Sequence, residues 1–291
     1  MSNILLTGAN GFIGKYVHKK LVEAGFFVIP IDIVPGNTDD MIVADISKKD
    51  CVQEIAHRLE NTDISGIVHL AASIDFNNPQ GLIEANCSGT LHVVELAKVL
   101  NAKRLVYLSS IPIIGKPAEL PITESHPINP LTVYHSTKYV GEQLIGGADS
   151  DTLSTVCLRI ASPVGRDKRQ KAFPERVIDC CKRDEDIVLY GKGGRIQNYI
   201  DVRDLAEAIR LALMNNDCRG LYLIKGGMTI SNEELANSCI HYSDSQAKII
   251  FSDKMDPEED YKWIIDGTKA ERELRYTPGY KPEDTIKWLL E

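Results

Sequence analysis

Tyr134 and Lys138 stand four positions apart, a spacing that places both side chains on one face of a helix. An unperturbed phenol has a pKa of about 10, which is too high for a base at neutral pH, but a nearby ammonium favours the phenolate. Such a tyrosine can take a proton from a substrate hydroxyl as hydride leaves the same carbon. Pairs of this kind are also common on helix surfaces, so the interpretation depends on the other motifs of the chain.

A glycine-rich stretch near the start of the chain has the form of a nucleotide-binding turn. Residues 7–14 read Thr-Gly-Ala-Asn-Gly-Phe-Ile-Gly, between an apolar run at 3–7 and helical apolar spacing from 12 to 24. Glycine permits a tight turn and lets the backbone approach a pyrophosphate, and free N–H groups at a helix N-terminus attract negative charge. The spacing is G-x-x-G-x-x-G rather than the commoner G-x-G-x-x-G. We expect the cofactor to contact Gly8, Asn10, Gly11, Phe12, Ile13 and Gly14.

An acidic residue ends the next predicted strand, 27–33. Asp32 stands eighteen residues after Gly14, where a carboxylate accepts hydrogen bonds from ribose hydroxyls and repels a 2′-phosphate. The four residues after it carry no positive charge: Ile33, Val34, Pro35 and Gly36. This pattern favours NAD over NADP, and the alternative is a solvated aspartate at a strand end.

Small and hydroxyl-bearing residues end two further predicted strands. Leu70, Ala71 and Ala72 follow the fourth strand, where small side chains let the backbone approach a cofactor, although plain core alanines would fit as well. Ser109 and Ser110 end the fifth strand and are candidates for holding a substrate hydroxyl.

Polar residues in or next to two predicted helices also bear on the site. Asn86 lies inside the predicted helix 79–100, so its amide needs a partner, either the backbone near the active site or solvent. Asn129 and Pro130 predict the N-cap and first residue of the helix that carries Tyr134 and Lys138.

The predicted elements alternate between strand and helix. The strands are 3–7, 27–33, 41–44, 66–71, 104–109 and 153–160, and the helices are 12–24, 48–60, 79–100, 130–146 and 203–214. This alternation predicts an α/β fold, a doubly wound parallel sheet with helices on both faces and ligands at the carboxyl ends of the strands. From about residue 163 the pattern loosens into a smaller, loop-rich part.

Composition argues against several classes of protein. A net charge of −8 and a pI near 5.5 argue against nucleic acid as the main partner. The seven cysteines show no C-x-x-C pair and no Cys/His spacing for zinc, so we expect reduced thiols and no metal. Because no apolar run approaches ~18 residues and the first strand begins at once, we expect no signal peptide, no membrane span and a cytoplasmic location.

Taken together, these motifs make the chain resemble the extended short-chain dehydrogenases/reductases, the NAD-dependent epimerases and dehydratases. The matching stretches are 7–14, Asp32, 45–46, 69–72, 86–90, 109–115, 134–138, 159–165 and 198–206. The resemblance implies a Rossmann domain over residues 1–162, to which 196–225 returns. It also implies a smaller C-terminal α/β substrate domain made of 163–195 and 226–291.

The resemblance also implies roles for individual residues. Ser110 would hold the substrate hydroxyl, Tyr134 would be the acid/base, and Lys138 would lower the pKa of Tyr134 and bind the nicotinamide ribose. Further cofactor contacts would come from Asp45 and Ile46 beside the adenine, Leu70, Ala71, Ala72, Asn86, Tyr134, Lys138 and Ala161. Substrate contacts would come from Ser110, Ser162, Arg195 and Gln197.

Departures from the family pattern bear on the reaction. Ile111 and Pro112 follow Ser110 where sugar 4,6-dehydratases carry two carboxyl side chains, and because apolar residues cannot transfer protons, this departure argues against dehydration. Gln197 occupies the position of an arginine that binds the substrate diphosphate in nucleotide-sugar members, and Arg195 stands two positions earlier. Either Arg195 replaces that cation or it is a solvated loop residue, in which case the substrate need not be a nucleotide sugar.

The sequence favours an NAD-dependent enzyme acting on a sugar hydroxyl or ketone, and among such enzymes a nucleotide-sugar epimerase. The alternatives are an NAD-dependent reductase or dehydrogenase of a non-nucleotide carbonyl or alcohol, and a catalytically silent NAD-sensing protein. The resemblance further implies a homodimer through the helices at 79–100 and 130–146. Apolar residues in excess of one buried stripe support it: Leu91, Val94, Leu96, Val99 and Leu100.

Overall fold

The structure, a computed structural model, describes residues 2–36, 40–168 and 170–291. Its strands are β1 (Asn3–Thr7), β2 (Phe27–Asp32), β3 (Ile42–Val43), β4 (Ile64–His69), β5 (Arg104–Ser110), β6 (Ser154–Ile160), β7 (Ser162–Val164), β8 (Ile187–Leu189), β9 (Ile196–Asp201), β10 (Gly220–Ile224), β11 (Met228–Ser231) and β12 (Ile249–Phe251). Its helices are α1 (Phe12–Glu23), α2 (Cys51–Arg58), α3 (Pro79–Ile83), α4 (Gly89–Val99), α5 (Val133–Gly146), α6 (Phe173–Lys182), α7 (Val202–Met214), α8 (Asn232–Ser243) and α9 (Pro282–Leu290).

The largest sheet is parallel and has seven strands in the order β3-β2-β1-β4-β5-β6-β10. The strand order reverses between β1 and β4, so the connections leaving these two strands diverge. That divergence opens a crevice at the carboxyl ends of the strands, where doubly wound sheets bind nucleotides. The predicted fold class is therefore confirmed.

Alternating side chains of each strand face two different cores, as a sheet covered on both faces requires. Along β1, Ile4 and Leu6 pack with α1 and α7 in one core, whereas Leu5 packs with α2, α4 and α5 in the other. These two cores hold the strand ends rigidly beneath the crevice.

The C-terminal part contains more regular structure than the loosened sequence pattern predicted. It includes the sheets β11-β9-β7 and β12-β8, which pack with α6, α8 and α9 around a third core. Of the segment predicted to return to the Rossmann part, β10 joins the large sheet and α7 packs in the first core beside it, whereas β9 pairs with β7 and β11. Trp263 and Tyr276 also pack into the first core. The division of the chain into two domains remains a prediction.

The helices at 79–100 and 130–146, which lie beside the crevice, differ from the sequence predictions. The predicted helix 79–100 is interrupted by a π-helical turn over Glu84–Ser88. Helix α5 begins at Val133 rather than Pro130, because Thr132 is its N-cap and accepts a hydrogen bond from His135 N at 3.1 Å. A helix start at Asn129 was thus wrong by three residues, since the threonine side chain satisfies the first turn in its place.

Within the residues described, no helix combines the length and the apolar character needed to cross a bilayer.

Candidate active site

A cavity of about 1010 Å³ opens at the carboxyl ends of the parallel strands and extends toward the C-terminal part. Its volume lies at the upper end of the range of about 300–1,000 Å³ for small-molecule sites. It brings together most residues to which the sequence analysis gave a role: Gly8, Asn10, Gly11, Phe12, Ile13, Gly14, Asp32, Asp45, Ile46, Leu70, Ala71, Ala72, Ser110, Tyr134, Lys138, Ala161, Ser162 and Gln197.

The glycine turn packs so closely that side chains would not fit at two of its positions. Gly8 has φ +71°, and a Cβ there would lie 2.7 Å from Ala71 N. A Cβ at Gly14 would lie 2.1 Å from the carbonyl oxygen of Gly8. At Gly11 a Cβ would meet only the Gly8 carbonyl, at 3.1 Å, so this glycine leaves the space above the turn open.

The N-terminus of α1 faces the same space. Gly11 is its N-cap, so no side chain accepts hydrogen bonds from the first N–H groups of the helix. Such uncapped N–H groups, together with the helix dipole, bind phosphate oxygens. The turn therefore fits the pyrophosphate of a dinucleotide.

Asp32 is tied to this turn. Its carboxylate accepts hydrogen bonds from Asn10 N at 2.9 Å and Val34 N at 3.1 Å. Asp32 lines the cavity and each of its oxygens accepts only one of these bonds, so the carboxylate can also accept from ribose hydroxyls while its position is fixed.

A buried chain of hydrogen bonds beneath the cavity floor was not anticipated from the sequence. Thr90 Oγ1 donates to the Asn86 carbonyl at 2.6 Å, so it accepts from His69 Nε2 at 3.0 Å. That tautomer leaves Nδ1 to accept from Thr7 Oγ1 at 2.8 Å, and Thr7 Oγ1 accepts from Ala71 N at 3.3 Å. Burial lowers the pKa of His69 to about 3, so the ring is neutral. These hydrogen bonds fix the ends of β1 and β4. No local pattern in the sequence predicts them.

Asn86 was predicted to contact the cofactor directly, but it does not line the cavity. Its position is one that supports residues around the cavity. The side chain is buried; Oδ1 accepts from Ser73 N at 2.7 Å, and Nδ2 donates to Ser73 O at 3.0 Å and Thr137 Oγ1 at 2.9 Å. The amide therefore joins the loop after β4 to α5. Of the two partners considered, backbone and solvent, the backbone is the one observed.

Ser110, Tyr134 and Lys138 lie around the inner part of the cavity, on the end of β5 and on α5. Burial raises the pKa of Tyr134 to about 12 and lowers the pKa of Lys138 to about 7. Without a cofactor the phenol is therefore protonated at neutral pH. Because burial opposes the phenolate, the positive charges of Lys138 and of a bound nicotinamide are both needed to favour it.

The other end of the cavity is polar and lies beside β9. Ser162, Gln197 and Asn198 line it. The Asn198 amide is fixed by Gly226, since Oδ1 accepts from Gly226 N at 2.7 Å and Nδ2 donates to Gly226 O at 3.2 Å. Because Nδ2 also donates to Thr229 Oγ1 at 2.7 Å, both amide hydrogens of Asn198 are used, and Ser162 and Gln197 are the side chains that can hydrogen-bond a polar ligand at this end.

Arg195 is placed differently from the sequence expectation. It is not among the described residues that line the cavity, because its guanidinium pairs with Glu258 and lies 4.0 Å from Asp256. It also donates to the Gln197 amide oxygen at 2.6 and 2.9 Å in the orientation that satisfies both groups. Arg195 could bind a diphosphate only by leaving these carboxylates, and Gln197 is the member of the pair that faces the cavity.

Several cavity residues of the C-terminal part were missed by the sequence analysis, among them Lys168, Trp263 and Ile265. Lys168 donates to Pro163 O at 2.8 Å and lies 3.6 Å from Glu175, and Trp263 and Ile265 form an apolar wall. Their position depends on packing between distant parts of the chain, which leaves no periodic signal in the sequence.

Comparisons with known proteins agree with this geometry. Residues 4–224 match the model of the NAD dependent epimerase/dehydratase family. A putative UDP-glucose 4-epimerase of Methanocaldococcus jannaschii is 30% identical over 98% of this chain and 94% of its own length. A dTDP-glucose 4,6-dehydratase of Streptomyces niveus is 24% identical over 98% of this chain and 92% of its own length.

A solved structure shows the same fold. The UDP-glucose 4-epimerase of Thermotoga maritima, crystallised with UDP-glucose, superimposes with a TM-score of 0.87 at 22% identity, covering 99% of this chain and 97% of that one. The match to the family model spans most of the large sheet and the cavity that it carries. The chain belongs to the NAD dependent epimerase/dehydratase family.

Proposed function

We propose that this protein is an NAD-dependent nucleotide-sugar 4-epimerase. The observation that carries the proposal is one continuous cavity, which joins the glycine turn and Asp32 to Ser110, Tyr134 and Lys138 and then to a polar end at Gln197. The curated relative at 30% identity is named a putative UDP-glucose 4-epimerase, and the Thermotoga structure contains UDP-glucose. These relatives support a UDP-hexose as the substrate.

In this proposal the chain holds NAD along the carboxyl ends of β1, β2, β4 and β5. The glycine turn binds the pyrophosphate, Asp32 binds the adenosine ribose, Asp45 and Ile46 border the adenine, and Lys138 binds the nicotinamide ribose. Bound NAD supplies a hydride acceptor and a positive charge beside Tyr134.

The residues of the chain then move the proton. Ser110 accepts or donates a hydrogen bond at the substrate hydroxyl and fixes its orientation. Tyr134 takes the hydroxyl proton as the carbon is oxidised and returns it when the carbonyl is reduced from the other face. Epimerisation requires that the sugar turn over inside the cavity between these steps, and the apolar wall of Trp263 and Ile265 gives it a surface without fixed hydrogen bonds.

Dehydration is disfavoured by the residues after Ser110. Ile111 is buried and Pro112 lines the cavity, and neither can transfer a proton. A simple reductase of a non-nucleotide substrate remains the alternative enzyme. Arg195 is paired with carboxylates, so it is not free to bind the diphosphate of a nucleotide sugar. A silent NAD-binding protein is disfavoured because Ser110, Tyr134 and Lys138 all face one cavity.

Cofactor retention separates these functions. An epimerase regenerates its cofactor within each turnover, so the purified protein should carry NAD and interconvert two UDP-hexoses without consuming added NADH. Stoichiometric NADH oxidation with a carbonyl substrate would favour the reductase, and NAD binding without turnover of any sugar nucleotide would favour the sensor.

The preference for NAD over NADP should depend on Asp32. The double substitution Asp32→Ala with Ile33→Arg should weaken NAD and strengthen NADP, because it removes the repulsion of a 2′-phosphate and adds a countercharge. Ile33 is 63% exposed, so an arginine can be accommodated there. Fluorescence titration with both dinucleotides measures the preference. Ile33→Arg alone is the control, and a double variant that still prefers NAD as strongly as the wild type would contradict this role of Asp32.

We also propose that the protein forms a homodimer through α3, α4 and α5. Leu91 and Val99 are 41% and 56% exposed, and Val133 and Val140 of α5 are exposed as well. By contrast, Val94 and Leu96 are buried within the monomer and Leu100 packs against its core. The apolar excess predicted for α4 is thus smaller than expected, but the exposed residues of α5 add to it.

The variant Leu91→Arg should produce a monomer, because it places a charge in the centre of an apolar contact. Light scattering at micromolar concentration measures the mass. Val22→Arg is the matched control, since Val22 is similarly exposed on α1, which covers the opposite face of the sheet. A wild-type protein of monomeric mass would reject the dimer.

A further inference from the structure

Lys138 is a buried ammonium whose nearest carboxylate is already engaged. The residue is only 4% exposed. Glu142, one helical turn further along α5, attracts it, but Arg159 donates two hydrogen bonds of 2.9 and 2.8 Å to that carboxylate. An uncompensated buried charge is costly. Any further group that stabilises the charged form therefore helps to hold the ammonium at the cavity floor.

The aromatic ring of Tyr107 lies against this ammonium. Lys138 Nζ is 4.2 Å from the centroid of the ring, well within the ~6 Å over which a cation interacts with an aromatic face. Tyr107 is fully buried on β5, and its hydroxyl donates to the Lys138 carbonyl at 3.4 Å. The ring therefore contacts both ends of the same residue.

The ring is itself held on two further sides. The His69 ring packs against it with 5.5 Å between centroids. On α5, Gly141 gives it room, since a Cβ at that glycine would lie 2.1 Å from Tyr107 Oη. Because the ring is fixed by a neutral histidine and by bare backbone, its face has one position relative to Lys138.

We propose that Tyr107 is a positioning residue for Lys138: the face of its ring holds the ammonium at the cavity floor, in the place where a counterion would otherwise be needed. The proposal rests on the proposed function only in treating Lys138 as a catalytic residue. It requires no particular substrate.

None of the other titratable groups around the ammonium can stabilise its charge in place of the ring. Burial raises the pKa of Tyr134 to about 12 and also raises the pKa of the thiols Cys87 and Cys157. Burial lowers the pKa of His69 to about 3, so all four groups are neutral near pH 7. Glu142 is paired as described. Replacing the ring therefore changes the surroundings of the ammonium without changing any charge.

The test is the titration of Lys138 in the NAD-loaded protein, followed by carbon NMR of lysines labelled at Cε. The Lys138 signal is assigned by its loss in Lys138→Met. Tyr107→Leu should lower the titration midpoint by about one pH unit, because the charged form loses its aromatic partner. Tyr107→Phe keeps the ring and should leave the midpoint within a few tenths of a unit. The pH dependence of turnover should move in the same direction as the midpoint.

A matched control distinguishes positioning from general loss of packing. Tyr222 on β10 is equally buried beneath Lys269, with Nζ 4.3 Å from the ring centroid, and neither residue lines the cavity. Tyr222→Leu should lower the melting temperature but leave the Lys138 midpoint unchanged. An unchanged midpoint in Tyr107→Leu, or an equal shift in Tyr222→Leu, would overturn the proposal.

A nearly isosteric series covers the case in which Tyr107→Leu does not fold. Fluorinated phenylalanines placed at position 107 weaken the negative face of the ring stepwise while its shape is almost kept. The midpoint should fall with each added fluorine. A midpoint that is constant across the series would overturn the proposal, and this result would not depend on whether the enzyme is an epimerase.

Discussion

Turnover of the proposed nucleotide-sugar substrate should fall by about two or more decades in Tyr134→Phe, whereas folding and NAD binding should remain. The substitution removes one hydroxyl and keeps the ring, so it deletes proton transfer and little else; general acid–base catalysis contributes about 10²–10⁴-fold. The ring also packs against Phe76, with 5.5 Å between centroids, a contact that phenylalanine preserves. Steady-state kinetics and an NAD titration on the same preparation measure the two effects.

Tyr139→Phe is the matched control for this loss. Tyr139 lies on the same helix and packs against the first core without lining the cavity. Its substitution should leave turnover within a factor of about two, as a surface or peripheral change usually does. If Tyr134→Phe retained near-normal activity, Tyr134 would not be the acid/base.

Lys138→Met should abolish measurable turnover and weaken NAD, yet stabilise the cofactor-free protein. Burial lowers the pKa of Lys138 from its ordinary value of 10.5 to about 7. Between these values the unfolded chain binds a proton that the folded chain does not, so stability of the wild type rises as pH increases from 7 to 10.5. Below pH 7 the cost of the buried charge is fully present. Methionine fills similar space without charge and avoids that cost.

Thermal melts across pH test the sign of this effect. The gain in melting temperature of Lys138→Met over the wild type should be largest at pH 7 and below, and should shrink toward pH 10. Lys269→Met is the control outside the cavity and should keep its turnover. A gain that grows with pH, or a destabilised Lys138→Met at pH 6, would contradict the buried-charge account.

Local signals in the sequence were sufficient for six of the seven strands of the large sheet, whereas β10 was not predicted as a strand. The apolar run at 3–7 predicts β1 with its correct bounds, and the glycine spacing predicts the turn into α1. These features depend on neighbours in the chain, which a single sequence displays. The end of α5 is also predicted correctly at Gly146, whereas its start was misplaced because the cap is supplied by Thr132.

The polar half of the site was harder to predict because it depends on partners distant in sequence. In the sequence, Arg195 can be interpreted as a free loop cation. In the structure it is paired with Glu258. Asn86 is correctly expected to need a partner, but that partner is Ser73, in a loop without a periodic pattern. The contact of Tyr107 with Lys138 likewise joins a strand and a helix across 31 positions. Composition and spacing do not encode such pairings.

The most direct test of the central claim is a proton NMR time course of UDP-glucose with the purified protein in deuterated water, without added cofactor. We expect the signals of the 4-epimer, UDP-galactose, to appear while the proton at C4 is retained, because hydride moves to the bound cofactor and back without entering solvent. Tyr134→Phe provides the background rate. Deuterium at C4, or no epimer from a preparation shown to contain bound NAD, would contradict the account.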